Sequence, residues 1–307
     1  MIVNYETIKA AFEGWQALYK EQYSKAEPQW PKIAMLMPST GYQETYDWLG
    51  GLPAVVEWLG ERTLNQIKGY KFTLTNKLYA PPAIEVDRSQ FEDDKLGLIN
   101  PRVQELGLSM KMHPDKLIMD LLTNGFATAG PDGSYFFVAT HSESGTNQSN
   151  LSTAVLSIDA VEAGIAAMMG FTDDNGNKLG IMPDTLVVPP QLYMSALRIV
   201  SSTTIVPSGL ASTSALTTIG TSNVLSTMGL QVVTSPYLSG DATDWFLLAT
   251  KYPIRPLILQ MRREPEFTAI TDPTSSEVFR RNKFLFGADG RYTVGYGLWQ
   301  LAYGSHQ

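Results

Sequence analysis

The strongest constraint on the fold lies toward the end of the 307-residue chain. Val278 to Phe286 and Arg291 to Tyr303 are β-type runs separated by Gly287-Ala288-Asp289-Gly290, a cluster that predicts a hairpin turn. Along the second run, Tyr292, Val294, Tyr296 and Leu298 share one face at the period of two that a strand imposes. Thr293, Gly295, Gly297 and Trp299 share the other. Two glycines on one strand face predict a backbone or ring packed close against it; the alternative is an edge pair on a solvent-facing strand. These residue choices serve packing rather than chemistry.

Composition narrows the classes. A hydrophobic content of 44% with 17% charged residues is globular, and the length allows one to three domains. Met1 to Glu6 lacks the basic start and apolar core of a signal peptide, and no apolar run is long enough to span a membrane. With no cysteine there is no disulfide, thiolate metal site or thiol nucleophile, which fits a reducing cytoplasm. The net charge is −7, and the densest basic groups are only Arg262-Arg263 and Arg280-Arg281. Tight nucleic-acid binding needs clustered cations for phosphate neutralisation and is not expected here, which leaves coexistence with nucleic acid open.

The element order is mixed. Ile8, Phe12, Trp15 and Tyr19 recur at helical spacing between Tyr5 and Tyr23, and Pro28, Pro31 and Pro38 then predict an extended arm. Between Gly69 and Asp87, the runs Tyr70 to Leu74 and Ala83 to Val86 predict a projecting hairpin with too few apolar residues for its own core. Asn100 as cap with Pro101 in the first turn predicts a helix, and Pro114 opens a second that Gly125 stops. Tyr135 to Ala139 reads as a short strand. Helices at Ser157–Met169 and Gln191–Val200 alternate with strands at Thr185–Val188, Leu230–Thr234 and Trp245–Ala249, and the Ser/Thr-rich stretch from Ser201 to Thr227 reads as a long loop. This middle third reads as an α/β module inserted into a chain whose two ends belong together.

Candidates for chemistry are few. The three histidines are His113, at a predicted helix start with Asp115 facing the dipole, His141 in a loop, and His306 in an end expected to be disordered. Glu92-Asp93-Asp94 is the best acid–base or metal candidate, although adjacent helical residues point in different directions and capping is the stronger reading. Asp173 to Asn177 resembles a calcium loop but lacks its closing glutamate, so it reads as a turn. No phosphate-cradling glycine motif and no nucleophile elbow is present.

Several segments, taken in order, resemble the major head subunit of Mu-like bacteriophages and prophages. They are Trp48 to Gly50 with Glu57 to Arg62, Arg88 with Glu92 to Gly97, His113 to Leu122, and Gly125-Phe126. They continue through Asp132 to His141, Pro183 to Pro190, Trp245 to Leu247, Glu264 to Phe267 and Gly290 to Gln300. The resemblance implies an α+β chain with the tailed-phage capsid fold of the Hong Kong 97 type. In that scheme residues 1–62 form an N-terminal arm and 63–88 an extended loop. Residues 89–150 and 251–307 form a peripheral domain whose spine helix Pro101 and Pro114 interrupt, and 151–250 form an axial domain.

The function implied is a major capsid protein, not an enzyme, without cofactor or metal. It would assemble with itself as pentamers and hexamers into an icosahedral shell around phage double-stranded DNA, in the host cytoplasm and then in the virion. Candidate intersubunit contacts are Trp48, Glu57, Trp58, Arg62, Lys71, Lys77, Tyr79 and Arg88. Aromatics are common interface anchors, and intrachain packing is the alternative for the tryptophans. With no long charged N-terminal segment, a separate scaffolding protein is expected; portal and decoration proteins are further possible partners. Lys68, Lys71 and Lys77 lie in the projecting hairpin, but no acid catalyst is marked beside them, so cross-linking is not expected. The alternatives are another phage structural component, such as a tail-tube or head-completion protein, or a hydrolase using Glu92, Asp93 or Asp94 with His113.

Overall fold

The computed structural model describes residues 5–49, 69–93, 97, 99–143, 146–173, 176–205, 221–238, 242–270, 272 and 275–307. The chain opens with helices α1 (Tyr5–Lys25) and α2 (Trp30–Ile33), then strands β1 (Ala34–Pro38), β2 (Gln43–Leu49), β3 (Gly69–Thr75), β4 (Lys77–Tyr79) and β5 (Ile84–Asp87). Helices α3 (Arg88–Glu92) and α4 (Asn100–Thr123) follow, with short strands β6 (His141–Glu143), β7 (Thr146–Gln148) and β8 (Leu151–Ser152). Next come α5 (Ile158–Gly170), β9 (Thr185–Val188), α6 (Tyr193–Ser201), β10 (Thr204–Ile205), β11 (Thr221–Ser222), α7 (Leu225–Met228), β12 (Gln231–Thr234) and β13 (Trp245–Leu248). The chain closes with β14 (Leu257–Ile270), α8 (Ser276–Arg281), β15 (Lys283–Tyr296) and β16 (Ala302–Ser305).

The first sheet is built on β14 and β15, which pair antiparallel from Leu257↔Tyr296 to Ile270↔Leu285. Strand β1 lies parallel to β14 on one side, and β4 and β5 pair with β15 on the other. The predicted turn at Gly287 to Gly290 does not form. These residues continue one 14-residue strand, with Ala288 buried opposite Phe267. A tight Asp-Gly turn needs left-handed backbone, and neither Gly287 nor Gly290 has a positive φ. Pairing of Gly287, Ala288 and Asp289 with β14, and of Gly290 with Tyr79 of β4, outcompetes the local turn. The reversal lies farther back, where α8 ends at Asn282 with φ 56°.

The two glycines on the same face do meet close neighbours. A Cβ at Gly295 would lie 2.5 Å from Cδ2 of Leu74, and one at Gly297 would lie 2.3 Å from the carbonyl oxygen of Arg255.

Helix α4 crosses this sheet as one 24-residue helix of about 36 Å. The expected interruption at Pro114 is absent. An interior proline costs about 3 kcal/mol, and burial of Leu106, Met110, Ile118, Met119 and Leu122 on both sides of it offsets that cost. Asn100 sits in the first turn rather than at the cap, and its Oδ1 accepts the Trp15 indole N–H at 2.9 Å.

Residues 5–25, expected as part of an arm, are docked in the chain's own core. Ile8, Trp15 and Tyr19 are buried, and α1 lies against α4 where Gly107 admits the Tyr19 backbone. A Cβ at Gly107 would fall 2.7 Å from the Tyr19 carbonyl oxygen. Phe12 stacks on Phe267 at 5.5 Å, and Trp15 meets Phe286 edge-on at 4.5 Å. The far half of β14 and β15 is thereby covered by α1.

The second sheet has the order β12-β9-β13-β16-β8. Its centre is continuous apolar sequence, with Trp245 to Leu248 and Leu186 to Val188 all buried, as expected of strands covered on both faces. The end of the chain was expected to return to the first sheet; only β15 does so. Trp299 to Leu301 form a 3-10 turn, and β16 enters the second sheet between β13 and β8. Tyr135 to Ala139 form no strand, only a bridge from Tyr135 to Ala129. The N–H groups of Phe136 and Phe137 donate instead to Thr128 and Gly125 carbonyls, and Asn150 Nδ2 donates to the Phe136 carbonyl, so both rings stay buried.

The predicted pairing of Tyr70–Leu74 with Ala83–Val86 is also replaced. Strand β3 pairs with β2, from Gln43↔Thr75 to Leu49↔Gly69, as a two-stranded ribbon outside both sheets. Residues 84–87 instead extend the first sheet beside β15.

Candidate assembly surfaces

The described part of the ribbon lies against the first sheet, where its Tyr46, Phe72 and Leu74 share an apolar cluster with Met35, Met37 and Ile258. Trp48 lies on β2 opposite Tyr70, and Lys71 lies on β3 opposite Asp47, exposed. Lys77 is exposed on β4, paired with Tyr292 of the sheet rather than carried on the ribbon. Arg88 starts α3, and its N–H donates to the Asn282 carbonyl at 3.0 Å. Glu57, Trp58 and Arg62 lie outside the described residues.

Tyr79 is an intrachain packing residue. Its ring lies 4.7 Å from His113 of α4 and 4.8 Å from Tyr292 of β15, and burial pushes its hydroxyl pKa up. The Tyr292 hydroxyl meets His113 Nδ1 at 2.7 Å. Burial, with Lys116 nearby, holds the His113 pKa below its ordinary value. The histidine that a hydrolase would need is thus engaged in a cluster with two tyrosines, tilted against one ring and edge-on to the other.

Of the carboxylates offered for acid–base chemistry, Glu92 ends α3, the Asp93 N–H donates to the Ser89 carbonyl, and Asp94 lies outside the described residues. The other two histidines, Asp173 and Asp115 are engaged. His141 is buried between Asp132 (2.8 Å from Nδ1) and Asn150 (3.2 Å from Nε2), with its ring parallel to Trp299 at 3.9 Å. His306, expected to be disordered, donates its N–H to Ser152 and faces Asp244 at 2.8 Å. Asp173 closes the 173–177 segment as a turn by accepting the Asn177 N–H at 2.8 Å. Asp115 sits mid-helix rather than at a helix start. Its carboxylate accepts the N–H groups of Gln29 (2.8 Å) and Trp30 (2.6 Å), anchoring the start of α2. Burial raises its pKa in spite of those bonds. Among the described residues no cluster of His, Asp and Glu is placed to hold a metal, and no helix is long and apolar enough to cross a membrane.

Two features escaped the sequence. Phe279, expected inside a strand, stands 88% exposed on α8 at the turn between β14 and β15. Gln260, a polar residue within Leu257 to Met261, is fully buried beneath the root of the ribbon. The lone amide in that apolar run was the one signal available for it.

Two sheets, a long helix across one of them and a two-stranded ribbon against it are the α+β tailed-phage capsid fold of the Hong Kong 97 type. A family model described as phage capsid protein matches residues 83–301, and one described as Mu-like prophage major head subunit gpT matches residues 8–155. The chain belongs to this family of phage capsid proteins, among the Mu-like major head subunits.

It is similar to the major capsid protein of Escherichia phage Mu, 30% identical over 302 residues that cover 98% of this chain and 74% of that protein. It is also similar to the Mu-like prophage FluMu major head subunit of Haemophilus influenzae, 28% identical over 302 residues, covering 97% and 72%. Among solved structures, the procapsid of bacteriophage JBD30 aligns with a TM-score of 0.61 at 24% identity, covering 99% of this chain and 76% of that one.

Proposed function

We propose that copies of this chain assemble as pentamers and hexamers into a closed icosahedral shell around phage double-stranded DNA. The observation that carries this reading is the β2–β3 ribbon, which belongs to neither sheet. One face of it packs on the first sheet through Tyr46, Phe72 and Leu74, while Thr45, Asp47, Lys71 and Thr73 stay exposed. A neighbouring copy would add contacts there, and each copy makes several such contacts around a closed symmetry. Strand pairing supports a division in which residues 43–75 act as the extended loop, the first sheet with α4 as the peripheral domain and the second sheet as the axial domain. Trp48 and Lys71 on the ribbon and Phe279 at the far turn are contact candidates, Phe279 because a bare aromatic gains most from being covered. The work of the chain is contact rather than catalysis. The net charge of −7 suits a container that holds DNA without gripping it. A separate scaffolding protein, with portal and decoration proteins, completes the proposed partners, and assembly takes place in the host cytoplasm before the virion is released.

The test is size-exclusion chromatography with negative-stain microscopy on the wild type and on a variant whose residues 47–71 are replaced by a short Gly/Ser linker. The wild type is expected to give capsomers or shells, and the variant a folded subunit that closes no shell. Tubes or small rings from the wild type, or normal shells from the variant, would overturn the reading.

A further inference from the structure

A chain of buried polar groups lies where the ribbon leaves the first sheet. The Tyr46 hydroxyl on β2 donates to Gln260 Oε1 at 2.8 Å. Gln260 Nε2 donates to Asn76 Oδ1 at 2.8 Å and to the Leu74 carbonyl at 3.3 Å. Asn76 Nδ2 then donates to Ser39 Oγ at 2.8 Å and to the Gly41 carbonyl at 3.0 Å, at the turn between β1 and β2. Gln260 is 0% exposed and Asn76 4%. The oxygen and the nitrogen of the Gln260 amide are thus both satisfied, by partners from β2, from β3 and from the residue after it. Beside this network the Leu74 side chain fills the notch that Gly295 leaves in β15.

An apolar contact alone lets one layer slide and tilt over another. Hydrogen bonds with fixed directions, in a buried site where an unmade bond is costly, accept one arrangement. A leucine or methionine at position 260 would continue the apolar run at no desolvation cost, so the amide is placed for direction rather than for burial. Seven strand residues span about 23 Å, so a tilt of roughly 10° at the root moves the described end of the ribbon by about 4 Å, close to one strand spacing.

We propose that Gln260 is a positioning residue of assembly: with Tyr46 and Asn76 it sets the angle at which the ribbon leaves the sheet, and through that angle the curvature at which copies join. This rests on the shell reading above. The test compares wild type, Gln260→Met and Tyr46→Phe by hydrogen–deuterium exchange on the free subunit and by the size distribution of assembled particles. Tyr46→Phe is expected to keep the melting behaviour of the wild type within a few degrees, and Gln260→Met, which removes the bonds to Tyr46, Leu74 and Asn76, to melt lower but in one cooperative step. Exchange of β2 and β3 amides should rise about tenfold, and particles should become mixed in size or fail to close. Tyr46→Phe, which removes one hydroxyl, carries the test should Gln260→Met not fold. Wild-type ribbon exchange, or particles of wild-type uniformity, in a folded variant would overturn the proposal. Absence of particles from the wild type would instead refute the shell reading, leaving the exchange comparison to decide this one.

Discussion

Replacing Asp115 by alanine should release the segment that enters β1. The Asp115 carboxylate, 1% exposed, accepts two backbone N–H groups at 2.8 and 2.6 Å. At the other end of the same segment, the Arg255 guanidinium donates to the carbonyls of Pro31 and Ala34. An acid at the N–H end and a cation at the carbonyl end of α2 both match the polarity of its peptide groups. Alanine strands two donors at about 1–3 kcal/mol each. Gln29 and Trp30 are half-buried, so water can reach them in part, and burial of the carboxylate itself is unfavourable. The net loss should therefore sit near the low end, about 2–3 kcal/mol. For a chain of 307 residues that corresponds to a fall in melting temperature of about 3–5 °C.

The sign of the pH dependence offers a second check. A raised carboxyl pKa means that the native state binds the proton more tightly than the unfolded chain. The resulting stabilisation is present below the ordinary carboxyl value and is lost as pH rises through the folded one. Wild type should accordingly gain stability over Asp115→Asn as the pH falls from about 7 to about 4. The assay is differential scanning calorimetry of the unassembled subunit, with exchange measured at the Gln29 and Trp30 amides. A melting temperature for Asp115→Ala within about 1 °C of wild type, with both amides still protected, would refute the anchoring role.

Gly297→Ala should destabilise by about 3 kcal/mol or more, because the new methyl would meet the Arg255 carbonyl at 2.3 Å and a backbone atom cannot swing away. Gly14→Ala, on the exposed face of α1 with nothing within 4 Å, should instead stabilise by about 0.5–1 kcal/mol, and equal urea midpoints for the two variants would defeat the contrast. For His113, a depressed pKa means its stabilising contribution is full above the ordinary histidine value and lost as pH falls through the folded one. Urea midpoints of wild type should fall between about pH 7.5 and pH 5 more steeply than those of His113→Gln; parallel curves would count against it.

Periodicity and apolar runs made much of the architecture readable. The run Thr185 to Val188 forms β9, as its β-branched residues indicate, and the helical spacing of Ile8, Trp15 and Tyr19 marks the buried face of α1. Other expectations failed because a distant partner overrode a local preference. Gly287 to Gly290 carries turn residues, but β14 pairs with the first three and β4 with Gly290. Pro114 carries a helix-breaking ring, but the apolar side chains around it hold α4 continuous. Strand β3 has two possible partners in sequence, and the nearer one in chain order, β5, pairs with β15 instead. The candidate contacts divide in the same way. Lys71 and Trp48 lie on the ribbon, whereas Tyr79 looks equally exposable in sequence until α4 brings His113 over it. Gln260 acquires its meaning only from Tyr46 and Asn76, which lie more than 180 positions away in the chain.

The order of strands in the second sheet has a consequence for synthesis. Strand β8 has one neighbour, β16, and β16 lies between β8 and β13. As the chain leaves the ribosome, β8 and the exposed edge of β13 must wait while the whole β14–β15 pair is made. Long-range pairing of this kind is slow to close and leaves edges open meanwhile. The second sheet becomes complete only after the first has all its strands. A nascent subunit therefore cannot present a finished second sheet beside an unfinished first one.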